Sequence, residues 1–81
     1  MVWEDQPLPQ GIEAIDQHVE ELEEQREVFS YRCMRARREA QRIFSYDKLE
    51  YRRRQDEVVY YERKIAKIDE RLSLLREKRQ Q

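Results

Sequence analysis

After Gly11 the chain contains neither glycine nor proline, so seventy consecutive residues carry nothing that forbids a helix. Apolar side chains recur along this stretch at alternating spacings of three and four, which is the pattern of a coiled-coil seam. A first seam, interrupted only by Arg26, consists of Ile12, Ile15, Val19, Leu22, Phe29, Cys33, Ala36, Ala40 and Ile43. A second seam, interrupted by Asp47 and Arg54, consists of Phe44, Tyr51, Val58, Tyr61, Ile65, Ile68, Leu72 and Leu75. The pattern predicts an all-α chain with two long amphipathic helices.

The two seams do not share a register, and the phase slips between Ala40 and Asp47. Asp47 followed three residues later by Glu50 has the spacing of a capping box, which favours a new helix start there. We therefore expect an antiparallel helical hairpin, a two-helix coiled coil, over residues 11–81. Helix one spans about 11–43, the turn 44–47 and helix two about 47–79, and both prolines and Trp3 lie in an extended N-terminal arm over residues 1–10.

Charges on the seams disfavour a parallel dimer of unbroken helices, because Arg26, Asp47 and Arg54 would each meet the like charge of their own copy at the core. Folding back near residues 43–46 pairs positions whose numbers add up to about 87, as seam packing requires. This register places Phe29 opposite Val58, with Ile12, Ile15, Val19 and Leu22 opposite Leu75, Leu72, Ile68 and Ile65. Arg26 then faces Tyr61, and Arg54 faces Cys33.

One edge of that hairpin is unsatisfactory, because Glu23 approaches Glu62 and Asp69, and Arg37 approaches Lys48. Either a partner covers the edge or the register differs by one layer. An antiparallel dimer of unbroken rods makes the same contacts between chains, so the sequence leaves this arrangement open.

Composition sets the size of the core. The chain has 81 residues, of which 43% are charged and 38% are hydrophobic, so its core must be thin. Its net charge of -1 hides a strong polarity, since residues 1–31 carry nine acids and one base while residues 32–54 carry nine bases and three acids. Dimerisation into a four-helix bundle would complete such a core.

Several function classes are disfavoured. The single cysteine permits no internal disulfide, and no cysteine and histidine cluster has metal-ligand spacing, so we expect no metal, no cofactor and a reducing compartment. His18 is expected to be a surface residue and Cys33 a buried thiol. No apolar run could span a bilayer and the start does not resemble a signal peptide, which predicts a cytoplasmic or nuclear protein. A bare hairpin offers no concave catalytic site and no small-molecule pocket.

Apolar residues off the seam are the candidate contacts for a protein partner or a second copy. They are Val28, Tyr31, Met34, Val59, Tyr60 and Leu74, with Ala66 beside them and Trp3 in the arm. Trp is frequent at binding hot spots. The composition and the pattern therefore favour a non-catalytic structural or adaptor protein that self-associates or docks into an assembly by helix packing.

An alternative function rests on the basic segment that the hairpin would gather at its turn end. Its members are Arg32, Arg35, Arg37, Arg38, Arg42, Lys48, Arg52, Arg53 and Arg54. Such a density of arginine could bind phosphates, and the nearby Tyr31, Tyr46 and Tyr51 could stack on bases. The alternative is a small nucleic-acid-binding regulator, although no recognised nucleic-acid signature accompanies the charges.

Overall fold

The structure, a computed structural model, describes residues 6–80. Two α-helices, α1 (Ile12–Ile43) and α2 (Lys48–Gln80), pack side by side along their length. The result is a rod of 53 × 19 × 18 Å. The predicted all-α antiparallel hairpin is confirmed, with the reversal inside one chain. Trp3 lies outside the described residues.

Both helix starts follow from local chemistry. Gly11 precedes α1 with φ 90°, a conformation that side chains with a Cβ rarely adopt, and its carbonyl accepts a hydrogen bond from Ile15 N at 3.0 Å. At the start of α2, Asp47 Oδ1 accepts a hydrogen bond from Glu50 N at 3.0 Å, which confirms the predicted helix start. Only this half of the predicted capping box forms, because Asp47 N donates to the Ile43 carbonyl and the Glu50 carboxylate pairs with Arg53 and Arg54. The Ile43 carbonyl closes the turn by accepting hydrogen bonds from Tyr46 N and Asp47 N.

The core is uneven along the rod. Its largest cluster lies at the open end of the hairpin, where the arm residue Leu8 packs on it together with Val19 and Phe29; the buried members are Ile15, Leu22, Ile68, Leu72 and Leu75. Towards the turn, the buried residues are mostly small: Cys33, Ala36, Ala40 and Ile43. Because an apolar side chain stabilises in proportion to its buried area, the open end holds most of the packing energy.

The register differs from the predicted one by about one helical turn. Phe29 packs against the ring of Tyr61 with centroids 6.1 Å apart, and Cys33 Sγ lies 3.9 Å from the Val58 carbonyl oxygen. Leu75 belongs to the cluster at the open end, while its predicted partner Ile12 is 64% exposed. The predicted pairings of Phe29, Cys33 and Ile12 are therefore wrong.

The shift changes the charge pairs along the edge that the predicted register left unsatisfactory. Arg26 is not a seam residue facing Tyr61: it makes two hydrogen bonds to Asp69, Nε to Oδ1 at 2.5 Å and Nη2 to Oδ2 at 3.2 Å. Further ion pairs along the same edge are Arg37 with Glu62 at 3.1 Å, Arg76 with Glu23 at 3.8 Å and Arg79 with Asp16 at 3.0 Å. The observed register therefore replaces like charges by opposite ones.

Candidate protein-interaction surface

The six off-seam apolar residues predicted as partner contacts on the helices are all exposed in the structure. They are Val28, Tyr31, Met34, Val59, Tyr60 and Leu74. The structure does not bring them into a single strip, however, because they occupy different faces of the rod. Each face is therefore a separate candidate surface.

One face carries two open grooves separated by an interhelical ion pair. Arg37 and Glu62 line both grooves, and their mutual hydrogen bonding raises the pKa of the Arg37 guanidinium. The first groove, of about 380 Å³, contains Met34 and Ala66, and the second, of about 510 Å³, contains Val59. Partner side chains could enter either groove, but the charged bridge divides the apolar lining.

Tyr60 lies apart from these grooves. Its ring makes an edge contact with Tyr61 at 5.4 Å, and the ammonium of Lys64 lies 5.7 Å from its centroid. The outer side of α1 carries Val28 and Tyr31, which are 47% and 57% exposed. These two residues lie one helical turn apart, so they form a continuous apolar spot.

Sequence reasoning missed a further apolar patch, which lies at the turn and which we call the turn patch. Phe44, Tyr46 and Leu49 are each more than 60% exposed. Phe44 was expected in the second seam, which is wrong: it lies outside the core, and its ring makes an edge contact with Tyr51 at 5.0 Å. The available signal was three large apolar residues within six positions around a predicted turn.

The nine basic candidates divide into two groups. Arg37, Arg42, Arg53 and Arg54 are ion-paired with glutamates, and the bond from Arg42 Nη2 to Glu39 Oε2 at 2.8 Å lowers the pKa of that carboxyl. Among residues 6–80, no ion pair is made by the other five: Arg32, Arg35, Arg38, Lys48 and Arg52. Four of the nine residues predicted to contact phosphates are thus already paired with glutamates.

Arg54 does not face Cys33 as expected. Its Nη1 donates to Glu57 at 2.8 Å and its Nη2 lies 3.1 Å from Glu50, while it lines a groove with Ala36. The buried Nε of Arg54 has no hydrogen-bond partner within the described residues. The guanidinium is consequently used within α2.

His18 is not the surface histidine that the sequence suggested, since its side chain is 13% exposed. Arg71 Nε donates to His18 Nε2 at 2.8 Å, and Arg71 Nη2 donates to the carbonyls of Gln6 and Pro7 at 3.0 and 3.3 Å. Burial, followed by the charge of Arg71, lowers the pKa of His18. Arg71 thereby fastens the arm to both helices, a role that helical periodicity could not reveal because the arm has none.

The architecture defines an antiparallel two-helix coiled coil with exposed apolar patches. No protein-family model, curated protein or solved structure matches this chain. Among residues 6–80, neither helix is apolar enough over the length needed to cross a membrane. Within the same residues, no three or more His, Cys, Asp or Glu side chains are placed so that they could hold one metal ion.

Proposed function

We propose that the chain is a non-catalytic structural or adaptor protein that acts by helix packing, either with a second copy or within a larger assembly. One observation carries the proposal: large apolar side chains stay exposed on several faces outside a core that is confined to one seam. Exposed apolar clusters of this kind are typical of interaction surfaces. The patches run along the rod and around its turn end.

The shape of the molecule supports a non-catalytic role. Catalysis needs a water-excluded site that fixes several groups in place. Both grooves beside Arg37 and Glu62 are open to solvent, and these two charged side chains pair with each other. The hydrogen bond that His18 accepts from Arg71 ties it to the arm contact.

Site-specific photo-crosslinking tests the proposal. A benzophenone amino acid placed at Tyr31, Tyr60 or Leu49 should give discrete protein adducts on irradiation, either of the purified chain or of the cells that express it. The same group at the exposed polar positions Arg63 and Glu70 should give none. Mass spectrometry of the adducts distinguishes a second copy from another protein. Equal labelling at apolar and polar positions, together with monomeric sedimentation, would refute the proposal.

Nucleic-acid binding is the alternative, and the observation that favours it is that five basic side chains make no ion pair with any residue in the range 6–80. Fluorescence anisotropy with labelled DNA and RNA tests it. Binding that weakens steeply with salt, and that Arg38→Glu and Arg52→Glu abolish while crosslinking to protein is absent, would favour the alternative over the proposal.

A further inference from the structure

Six exposed residues follow one line along α1, on the side that faces away from α2. They recur at spacings of three and four, like a second seam, and we call them the outer stripe: Glu21, Glu24, Val28, Tyr31, Arg35 and Arg38. Within the stripe, Glu21 and Glu24 form an acidic pair, Val28 and Tyr31 an apolar centre, and Arg35 and Arg38 a basic pair. Residues with this spacing lie on one helix face and can pack against another helix.

The outer stripe is self-complementary under a twofold rotation. Glu24 precedes Val28 by four residues and Arg35 follows Tyr31 by four, so the acidic and basic pairs are equidistant from the apolar centre. An antiparallel copy of α1 would place Val28 against Tyr31, Glu24 against Arg35 and Glu21 against Arg38. By symmetry each contact occurs twice, which gives four ion pairs around four apolar side chains. A parallel copy would place every charge opposite its like.

The hairpin leaves these charges available. Among residues 6–80, Glu24, Arg35 and Arg38 make no ion pair, and Glu21 contacts only its neighbours His18 at 3.8 Å and Gln17 at 3.5 Å. The ion pairs between α1 and α2 use other positions of α1, such as Arg26 and Arg37. The charges of the outer stripe therefore do not contribute to holding the hairpin closed.

The outer side of α2 lacks this arrangement. Tyr60 is followed there by Arg63 and Lys67, so no pair of apolar residues stands at the middle of a charge-separated stripe. Since contacts at the centre of an interface contribute most of its binding energy, the apolar centre on α1 makes this helix the better surface.

We propose that a second copy of the chain binds the outer stripe, α1 against antiparallel α1, in a twofold-symmetric dimer. Such an interface is isologous, so it closes after two copies and forms no filament. This inference rests on the proposed function and names the partner for one of its surfaces. The turn patch and the grooves beside Arg37 remain accessible for other contacts.

Charge reversal with rescue in trans tests the proposal by sedimentation velocity. Wild-type chain at about 20 μM should be mostly dimeric, since that concentration is well above a Kd of about 1 μM. Variant E21R/E24R carries four basic groups along the stripe, and variant R35E/R38E carries four acidic ones. Each variant alone should be mostly monomeric at that concentration, with the dimer Kd raised about 100-fold, because four attractive contacts become repulsive and each reversal raises the Kd about threefold.

An equimolar mixture of the two variants should form a heterodimer, because every contact across the stripe is attractive again. The control variant R52E/R63E makes the same change of net charge as R35E/R38E, but on α2, and should dimerise like the wild type. Mixed with E21R/E24R, it should form far less heterodimer than R35E/R38E does. Helical content measured by circular dichroism at 222 nm establishes that each variant is folded, and the mixture tests the interface even if one variant is destabilised.

Three results would overturn the inference: a monomeric wild type, dimers that persist in both reversal variants, or loss of the dimer in R52E/R63E alone. A monomeric wild type that still gives position-specific adducts with another protein would leave the proposed function standing. Failure of both experiments would remove both proposals.

Discussion

Two adjacent leucines near the end of α2 provide a matched pair for testing the core. Leu75 is 0% exposed and belongs to the open-end cluster, while Leu74 is 45% exposed on the outside. Both lie in the same helical turn and have the same chemistry. Alanine at each position therefore isolates the contribution of burial from that of helix propensity.

The expected cost of Leu75→Ala follows from its burial. Truncation of an enclosed leucine loses transfer free energy and leaves a cavity, which together cost about 2–5 kcal/mol. Leu75 is five residues from the end of α2 at Gln80, where the structure can relax, so we expect about 2–3 kcal/mol. Leu74→Ala should cost less than about 0.5 kcal/mol, as substitutions at exposed positions usually do.

Thermal unfolding followed by circular dichroism measures the difference. For a domain of this size the Tm falls by roughly 4–8 °C per kcal/mol, so Leu75→Ala should lower it by about 10–20 °C and Leu74→Ala by only a few degrees. Melts at two protein concentrations separate this effect from self-association. Equal losses for the two variants, or a larger loss at Leu74, would mean that α2 is rotated about its axis, and the described core would be wrong.

Three further predictions concern local contacts. A double-mutant cycle of Arg26→Ala and Asp69→Ala should give a coupling of about 0.5 kcal/mol, because both side chains are nearly half exposed; zero coupling would show that this ion pair does not stabilise the hairpin. Burial and the charge of Arg71 lower the pKa of His18 in the folded chain below 6.5, so on acidification the unfolded chain binds a proton before the folded chain does. The free energy of unfolding, measured in urea, should therefore be constant above about pH 6.5 and fall below it. His18→Gln should flatten that fall, and an unchanged slope would exclude His18 as its cause. Asp47→Ala should cost about 1 kcal/mol and Asp47→Ser much less; equal losses would argue against a capping role.

The fold was predictable because the information for it is local. Spacings of three and four, the lack of glycine and proline after Gly11, and the cap at Asp47 each act within a few residues. The buried positions Ile15, Leu22 and Leu72 all came from the seams. Exposure of the six off-seam apolar residues followed from the same helical period.

The register was not predictable from apolar periodicity. A seam repeats every three or four residues, so sliding α2 by one turn again places apolar residues opposite apolar residues, as Phe29 does when it meets Tyr61 instead of Val58. Charges along the edge carry the missing information. The conflict of Glu23 with Glu62 and Asp69 marked the wrong alignment, and the observed pairing of Arg26 with Asp69 removes it.

The contact of the arm with the helices lay beyond such reasoning. It depends on Arg71 bridging His18 and the carbonyls of Gln6 and Pro7, a meeting of three distant segments with no shared period. Sequence spacing identifies neighbours within a helix but not the position of an irregular segment.

The unequal distribution of large side chains along the rod implies unequal amide protection. Residues 48–61 at the start of α2 contribute no fully buried side chain, whereas Ile68, Leu72 and Leu75 follow in its second half. Hydrogen exchange should therefore proceed fastest in the turn-proximal half, through an opening in which the cluster at the far end stays intact. A ligand that binds the opened form of this half would raise the population of that form, while the remainder of the rod keeps its shape.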